Sequence, residues 1–232
     1  MYLIRGQHNL ELFKSRFKDI KLSGTIGNFD GLHLGHQAIL EKIKNNSQEF
    51  TSKTIVFFTE PHASEYFASI NNLHNKIPPR ICSWREKFKL LEKSGIDFAF
   101  FLKFNNSLRT MSPENFITEI LDSINLKSFT VGDDFRFGLD RKGDTDQLRE
   151  WGKKRGILVE NTETILYEDE RVSSSRIRKA LIDNNFKLAE KLLGRPYTFS
   201  GKVVHGQHLG RTIDIPTANI WLPKQKLPIQ AV

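Results

Sequence analysis

Short apolar, β-branched or aromatic runs recur at residues 22–26, 54–58, 98–102, 129–131 and 157–159, and helical spacing of apolar positions fills the gaps between them. Residues 37–43 carry apolar side chains at 39, 40 and 43, and the segments 83–93, 113–123, 146–154 and 174–182 continue the helical pattern. Ser112-Pro113-Glu114 opens one of these helices with a cap residue and a proline at the first helical position. Strand and helix in alternation predict an α/β fold: a parallel sheet with helices on both faces. Ligands in such folds bind outside the carboxyl ends of the strands. Beyond Gly194-Arg195-Pro196 the helical periodicity stops, and residues 197–204 read as strand. The chain divides near residue 186, into a domain over 1–185 and a segment over 186–232 that opens with a linking helix at 186–193. The 47 residues of that segment are too few for a closed β-barrel of ordinary size.

Composition narrows the class. With 38% hydrophobic residues and 18 Phe, 232 residues can build a packed core. A single cysteine, Cys82, excludes an intramolecular disulfide framework and suggests a reducing compartment. The first six residues lack a basic-then-apolar layout, and no apolar run approaches a bilayer's thickness, so a cytoplasmic protein without a membrane partner is expected. The net charge of +8 suits anionic ligands, but no nucleic-acid-binding motif accompanies it. Much of the basic content lies in segments such as 84–89, expected to form a solvated helix face.

The candidate chemistry concentrates in residues 27–36. Gly27, Asn28, Asp30, Gly31, His33, Gly35 and His36 lie where the first of those strands hands over to a helix. Unpaired N–H groups in a helix's first turn attract phosphate oxygens, and glycines let the main chain approach. A nucleotide-phosphate site is expected there. Thr59-Glu60-Pro61-His62 occupies a second strand end. Residues 131–138 mix glycines with Asp134, Phe135, Arg136 and Phe137, a set able to hold a planar ring. Three serines, 173–175, can cap the helix that carries Arg176, Arg178 and Lys179 in its first turns, and cations placed against the dipole there suggest a bound anion.

The glycine-histidine segment resembles the HxGH signature of the nucleotidyltransferase superfamily. Four further stretches, at 57–67, 131–143, 172–178 and 192–197, resemble the bacterial bifunctional riboflavin kinase/FAD synthetase family in the same order. Ala63 and Ser175 depart mildly from its pattern, replacing a proline and a threonine. The likeness continues through 201–206 and 210–220, similar to the opening of the family's kinase barrel, with Asp214 at a usual glycine.

The resemblance implies a Rossmann-like nucleotidyltransferase domain followed by the incomplete start of a riboflavin kinase barrel. It implies transfer of AMP from ATP to FMN, giving FAD and pyrophosphate. His33, His36 and Asn28 then fall to catalysis. Gly27, Gly31, Gly35, Ser174, Ser175, Arg176 and Arg178 fall to the ATP phosphates. Asp30, Asp134, Phe135 and Phe137 fall to the flavin or adenine side. Mg²⁺ is expected to arrive with ATP, since no protein metal site is evident. Thr217 and Asn219 match the kinase's nucleotide-binding residues, and kinase activity is expected to be lost with the remainder of the barrel. Two rival readings are a nucleotidyltransferase for another acceptor and a non-catalytic flavin- or nucleotide-binding remnant.

Overall fold

The computed structural model describes residues 1–73, 77–204, 219–221 and 227–229. Six strands form one all-parallel sheet: β1 (Tyr2–Arg5), β2 (Leu22–Ile26), β3 (Lys53–Glu60), β4 (Phe98–Lys103), β5 (Leu126–Gly132) and β6 (Leu158–Thr162). Their spatial order is β1-β4-β3-β2-β5-β6. Every residue of β2 is buried, because helices cover both faces, and this is why the strands read as continuous apolar or small runs. Gly24 lies opposite Ile55 on one side and Phe129 on the other, and a Cβ there would meet their side chains at 3.2 Å. The chain leaves β2 for β3 in one direction and reaches β5 in the other. The gap between β2 and β5 is therefore the topological switch point, where a crevice opens at the strands' carboxyl ends.

One face of the sheet, with Phe57, Phe100 and Phe129, is covered by α1 (Leu10–Phe17), α5 (Asn106–Thr110), α6 (Pro113–Phe116), a following π turn (Ile117–Leu121) and α7 (Thr145–Arg155). The other face buries Val56, Phe58 and Ala99 under α2 (Leu34–Glu49) and α4 (Trp84–Lys93). A third cluster joins Ile81 to α8 (Ser174–Ile182) and α9 (Phe186–Leu193). Remaining elements are α3 (Ala63–Ile70), the hairpin β7 (Leu166–Tyr167) with β8 (Glu170–Arg171), and the antiparallel pair β9 (Lys202–Val204) with β10 (Asn219–Trp221).

The α/β architecture agrees with the periodicity, and the differences have physical causes. Edge strand β1 and helices α1 and α3 lie outside the segments that the periodicity picked out. The predicted helix over 113–123 is split by the π turn, although Ser112 caps its start as expected, accepting from Asn115 N at 3.1 Å. Strand structure in 197–204 is confined to Lys202–Val204. The segment 84–89 is not a uniformly solvated face. Lys87 lies one helical turn from the buried Leu91 and shares its face; its side chain is fully buried, with Nζ 3.2 Å from His62 Nε2 and 5.0 Å above the Phe58 ring. Helix α9, placed by the periodicity at the head of the second segment, packs Ala189, Leu192 and Leu193 on α8.

Candidate active site

Leaving β2, the backbone passes through three left-handed residues, Phe29 (φ 48°), Gly31 (φ 80°) and Leu32 (φ 44°), before entering α2. Such conformations persist only where the surroundings over-determine them. Here they do: Phe29 is fully buried, Gly31 N–H donates to Cys82 Sγ at 3.2 Å, and a Cβ on Gly31 would stand 2.7 Å from Ile81 Cγ2. Asp30 is the pivot. Its buried carboxylate accepts from Ile81 N, Cys82 N and Arg178 Nη2 at 3.1, 3.2 and 2.6 Å, and its carbonyl accepts from Ser174 Oγ at 3.0 Å.

His33 is the N-cap of α2, and its Nδ1 accepts from His36 N at 3.3 Å. Burial lowers its pKa to about 4, against the raising effect of Asp30 and with the help of Arg171, Arg178 and Arg195. The ring is neutral at pH 7 with Nδ1 as acceptor, which leaves the proton on Nε2 as a donor. His36 stacks on it with ring centroids 3.7 Å apart and packs on Phe29 at 5.0 Å. Burial, the His33 ring and the Lys87 charge hold His36 well below its ordinary pKa, and its buried Nδ1 has no hydrogen-bond partner among the described residues. Two neutral imidazoles are thus stacked side by side.

Both rings line a cleft of about 410 Å³ at the switch point. Gly27, Asn28 and Gly35 share this wall, and Asn28 Oδ1 is set by Thr59 Oγ1 at 3.1 Å. The end of β5 supplies Gly132, Asp133, Asp134 and Phe135, the stretch after β6 supplies Thr164, and Arg171, Ser173 and Ser174 close the ring. Ser173 caps α8 by accepting from Arg176 N at 3.2 Å, so the N-terminal ends of α2 and α8 converge on one cleft. Arg171 spans the mouth, pairing with Asp133 and Asp134 at 3.0 Å each. The Thr164 hydroxyl and Arg171 hold Asp133 below the usual carboxylate range. A larger cleft of about 760 Å³, lined by Lys14, Lys103 and Asp122 among others, contains none of the residues singled out from the sequence.

Several residues expected at the ligand do not line this cleft. Arg178 is engaged by Asp30 and by the Pro79 carbonyl at 2.8 Å; Arg176 is engaged by Tyr167 O, Glu170 O and the Glu170 carboxylate. The carboxylates of Asp30 and Glu170 offset the cations at the start of α8, so those cations do not by themselves require an anion. Asp30 and Gly31 lie behind the turn, and Ser175 is exposed. Phe137 is 6% exposed, stacked under Phe135 and packed on Phe116, and belongs to the core. Sequence reasoning gave no role to Asp133, Thr164 and Arg171, although Asp133 lies inside the stretch 131–138 and Arg171 immediately precedes the stretch 172–178 that it singled out. Asn219 opens β10, exposed and opposite Val204; Thr217 and Asp214 lie outside the described residues.

The FAD synthetase family model matches residues 17–176, and the riboflavin kinase family model matches residues 193–232. The bifunctional riboflavin kinase/FMN adenylyltransferase of Escherichia coli K12 is 40% identical over all of this chain and 72% of its own length. The chain belongs to this family. The enzyme of the same description from Buchnera aphidicola of Acyrthosiphon pisum is 40% identical over 98% of the chain and 70% of its own. A solved structure described as a macrolide-efflux protein from Streptococcus pneumoniae superposes with a TM-score of 0.80 at 28% identity, covering 98% of this chain and 71% of that one. Efflux is that protein's description; among the described residues here no helix is long and apolar enough to cross a membrane. The cleft built by β2, β5, β6 and the two histidines lies wholly within the FAD synthetase part, and Arg195 lies within the riboflavin kinase part.

Proposed function

We propose that this cleft transfers AMP from ATP to FMN. A phosphate oxygen of FMN attacks the α-phosphorus in line, the bond from that phosphorus to the oxygen bridging to the β-phosphate breaks, and FAD and pyrophosphate result. The observation that carries the reading is the meeting of two helix N-termini over a stacked pair of neutral histidines at the switch point of a FAD synthetase domain. Phosphoryl and nucleotidyl transfer ask the protein mainly for position and for donors aimed at developing charge. His33 and His36 take that role at the α-phosphate, each worth about 3–4 kcal/mol of barrier. Gly27, Gly35 and Asn28 bring main chain and an amide to the same wall, and Ser174, its hydroxyl given to the Asp30 carbonyl, borders the place of the leaving phosphates at the start of α8.

Arg171 is assigned to those phosphates ahead of Arg176 and Arg178, because it lines the cleft and its carboxylate partners are side chains of the mouth. Phe135 and Asp134 border the ring system. Mg²⁺ is proposed to come with ATP, and would supply neutralisation of phosphate charge there. No cluster of three or more His, Cys, Asp or Glu able to hold an ion stands among the described residues, and Asp133 and Asp134 already face Arg171. The cytoplasm, which supplies ATP, is the compartment this reaction needs. The domain boundary is proposed at Gly194 rather than near 186, since α9 packs with α8.

Incubation with Mg-ATP and either FMN or riboflavin, followed by chromatography of the flavins, tests the reading. FAD from FMN is the expected product. Absence of FAD, with the thermal midpoint showing a folded protein, defeats it; FMN formed from riboflavin would add a kinase activity.

A further inference from the structure

The turn that presents His33 is held from behind by a residue that lies outside the cleft. Arg195 follows Gly194, whose left-handed conformation (φ 69°) ends α9 and turns the chain back toward α2. A Cβ on Gly194 would stand 2.7 Å from Leu34 Cδ2, so this turn is packed against the first residue of α2. From there Arg195 Nη2 donates to Gly31 O at 2.7 Å, and Nη1 donates to Leu32 O and Leu193 O at 3.3 Å each. Gln37 Nε2 donates to the same Leu32 O at 2.9 Å and to Leu193 O at 2.8 Å.

These acceptors are unusual. Gly31 and Leu32 are both left-handed, a region a leucine rarely occupies, and donors receive both of their carbonyls. Among the described residues no carboxylate pairs with the Arg195 guanidinium; its charge is directed at backbone dipoles. The next residue along the chain is His33, whose carbonyl accepts the first main-chain bond of α2 from Gln37 N at 2.9 Å. One planar fork therefore spans the two carbonyls that precede the N-cap His33, a geometry that a lysine ammonium cannot reproduce.

We propose that Arg195 is a positioning residue for adenylyl transfer, through which the C-terminal segment fixes the Gly31 and Leu32 carbonyls and so sets His33 and the α2 N-terminus at the cleft. The proposal rests on the adenylyltransferase reading of that cleft. Since Arg195 lies within the residues matched by the riboflavin kinase model, displacement of that segment is transmitted directly to the FAD synthetase site.

The test compares the full parent chain with Arg195→Gln and Arg195→Lys. It reads kcat and KM for ATP and FMN, the thermal midpoint, and amide hydrogen exchange of peptides covering 29–36 and 54–60. Arg195→Gln is expected to lower kcat tenfold or more while both KM values move less than threefold. Arg195→Lys restores less than half of that loss. Exchange rises in 29–36 and stays unchanged in 54–60. Turnover within twofold of the parent in both variants overturns the proposal. So does full rescue by lysine, which would leave charge alone as the cause, or faster exchange throughout the domain, which would mean a general structural anchor. If the parent itself forms no FAD, the adenylyltransferase reading fails, and unchanged exchange in 29–36 would separately remove the anchor.

Discussion

Asp30 and Arg178, 148 residues apart in the chain, meet at 2.6 Å beneath the turn that carries His33. Two residues that a motif places at the ligand are thereby turned into the joint between the α2 turn and α8. The same carboxylate receives the N–H groups of Ile81 and Cys82, so three separate stretches of chain converge on one buried group.

Breaking that joint should be felt as stability first. Removing one partner of a buried, hydrogen-bonded ion pair costs about 3–5 kcal/mol, and for a chain of this size each kcal/mol moves the midpoint by about 2–4 °C. Arg178→Ala is expected to lower the thermal midpoint by roughly 10 °C, measured by circular dichroism. A shift under 2 °C would show that Asp30 finds other partners.

His36→Ala should separate chemistry from folding, though less cleanly than a loop histidine would. Turnover is expected to fall by about 10²–10³-fold, the cost of one donor to developing charge. Loss of the stacking with His33 and Phe29 should also remove about 1 kcal/mol of stability, because the ring lies in the first turn of α2 and not in a loop. Steady-state assay with a melt on the same sample checks both, and turnover within a factor of two of the parent would remove His36 from the mechanism.

Acid should destabilise the fold through histidines. Burial pushes His33 down to about 4 and His62 down to about 2, with Lys87 and Arg80 adding to the latter, and holds His36 well below its ordinary value. Below pH about 6.5 the unfolded chain binds protons that these rings refuse, so stability rises with pH across that window and is lost as pH falls. For His33 the loss accumulates until about pH 4. Urea midpoints at pH 7.5, 6 and 5 should decline in that order; equal midpoints would contradict the neutral, buried assignment.

Gly31→Ala combines two faults at one position. The left-handed φ of 80° strains any L side chain, and the new Cβ would stand 2.7 Å from Ile81 Cγ2. A loss of about 1–3 kcal/mol is expected, with kcat reduced further than KM because His33 is displaced with the turn. Parent-like stability and turnover would show that the turn adapts more freely than its contacts indicate.

Period and local chemistry were enough to read most of the sheet order's ingredients. Residues 22–26 are a strand, 174–182 and 186–193 are helices, and the glycine-histidine segment sits at a strand-to-helix junction, as the pattern says. These features depend on neighbours a few positions away, so a one-dimensional string carries them. The tertiary structure alone decided which of the flagged residues line the cleft. Arg178 and Asp30 were expected at the phosphates and at the flavin or adenine side, yet they satisfy each other; Lys87 has a surface residue's charge, yet shares the face of Leu91; Arg195 reads as a linker residue, yet grips the carbonyls of Gly31 and Leu32. Partner choice depends on distances between residues up to 164 positions apart, and residue type states only what a side chain can bind, not which group arrives to be bound.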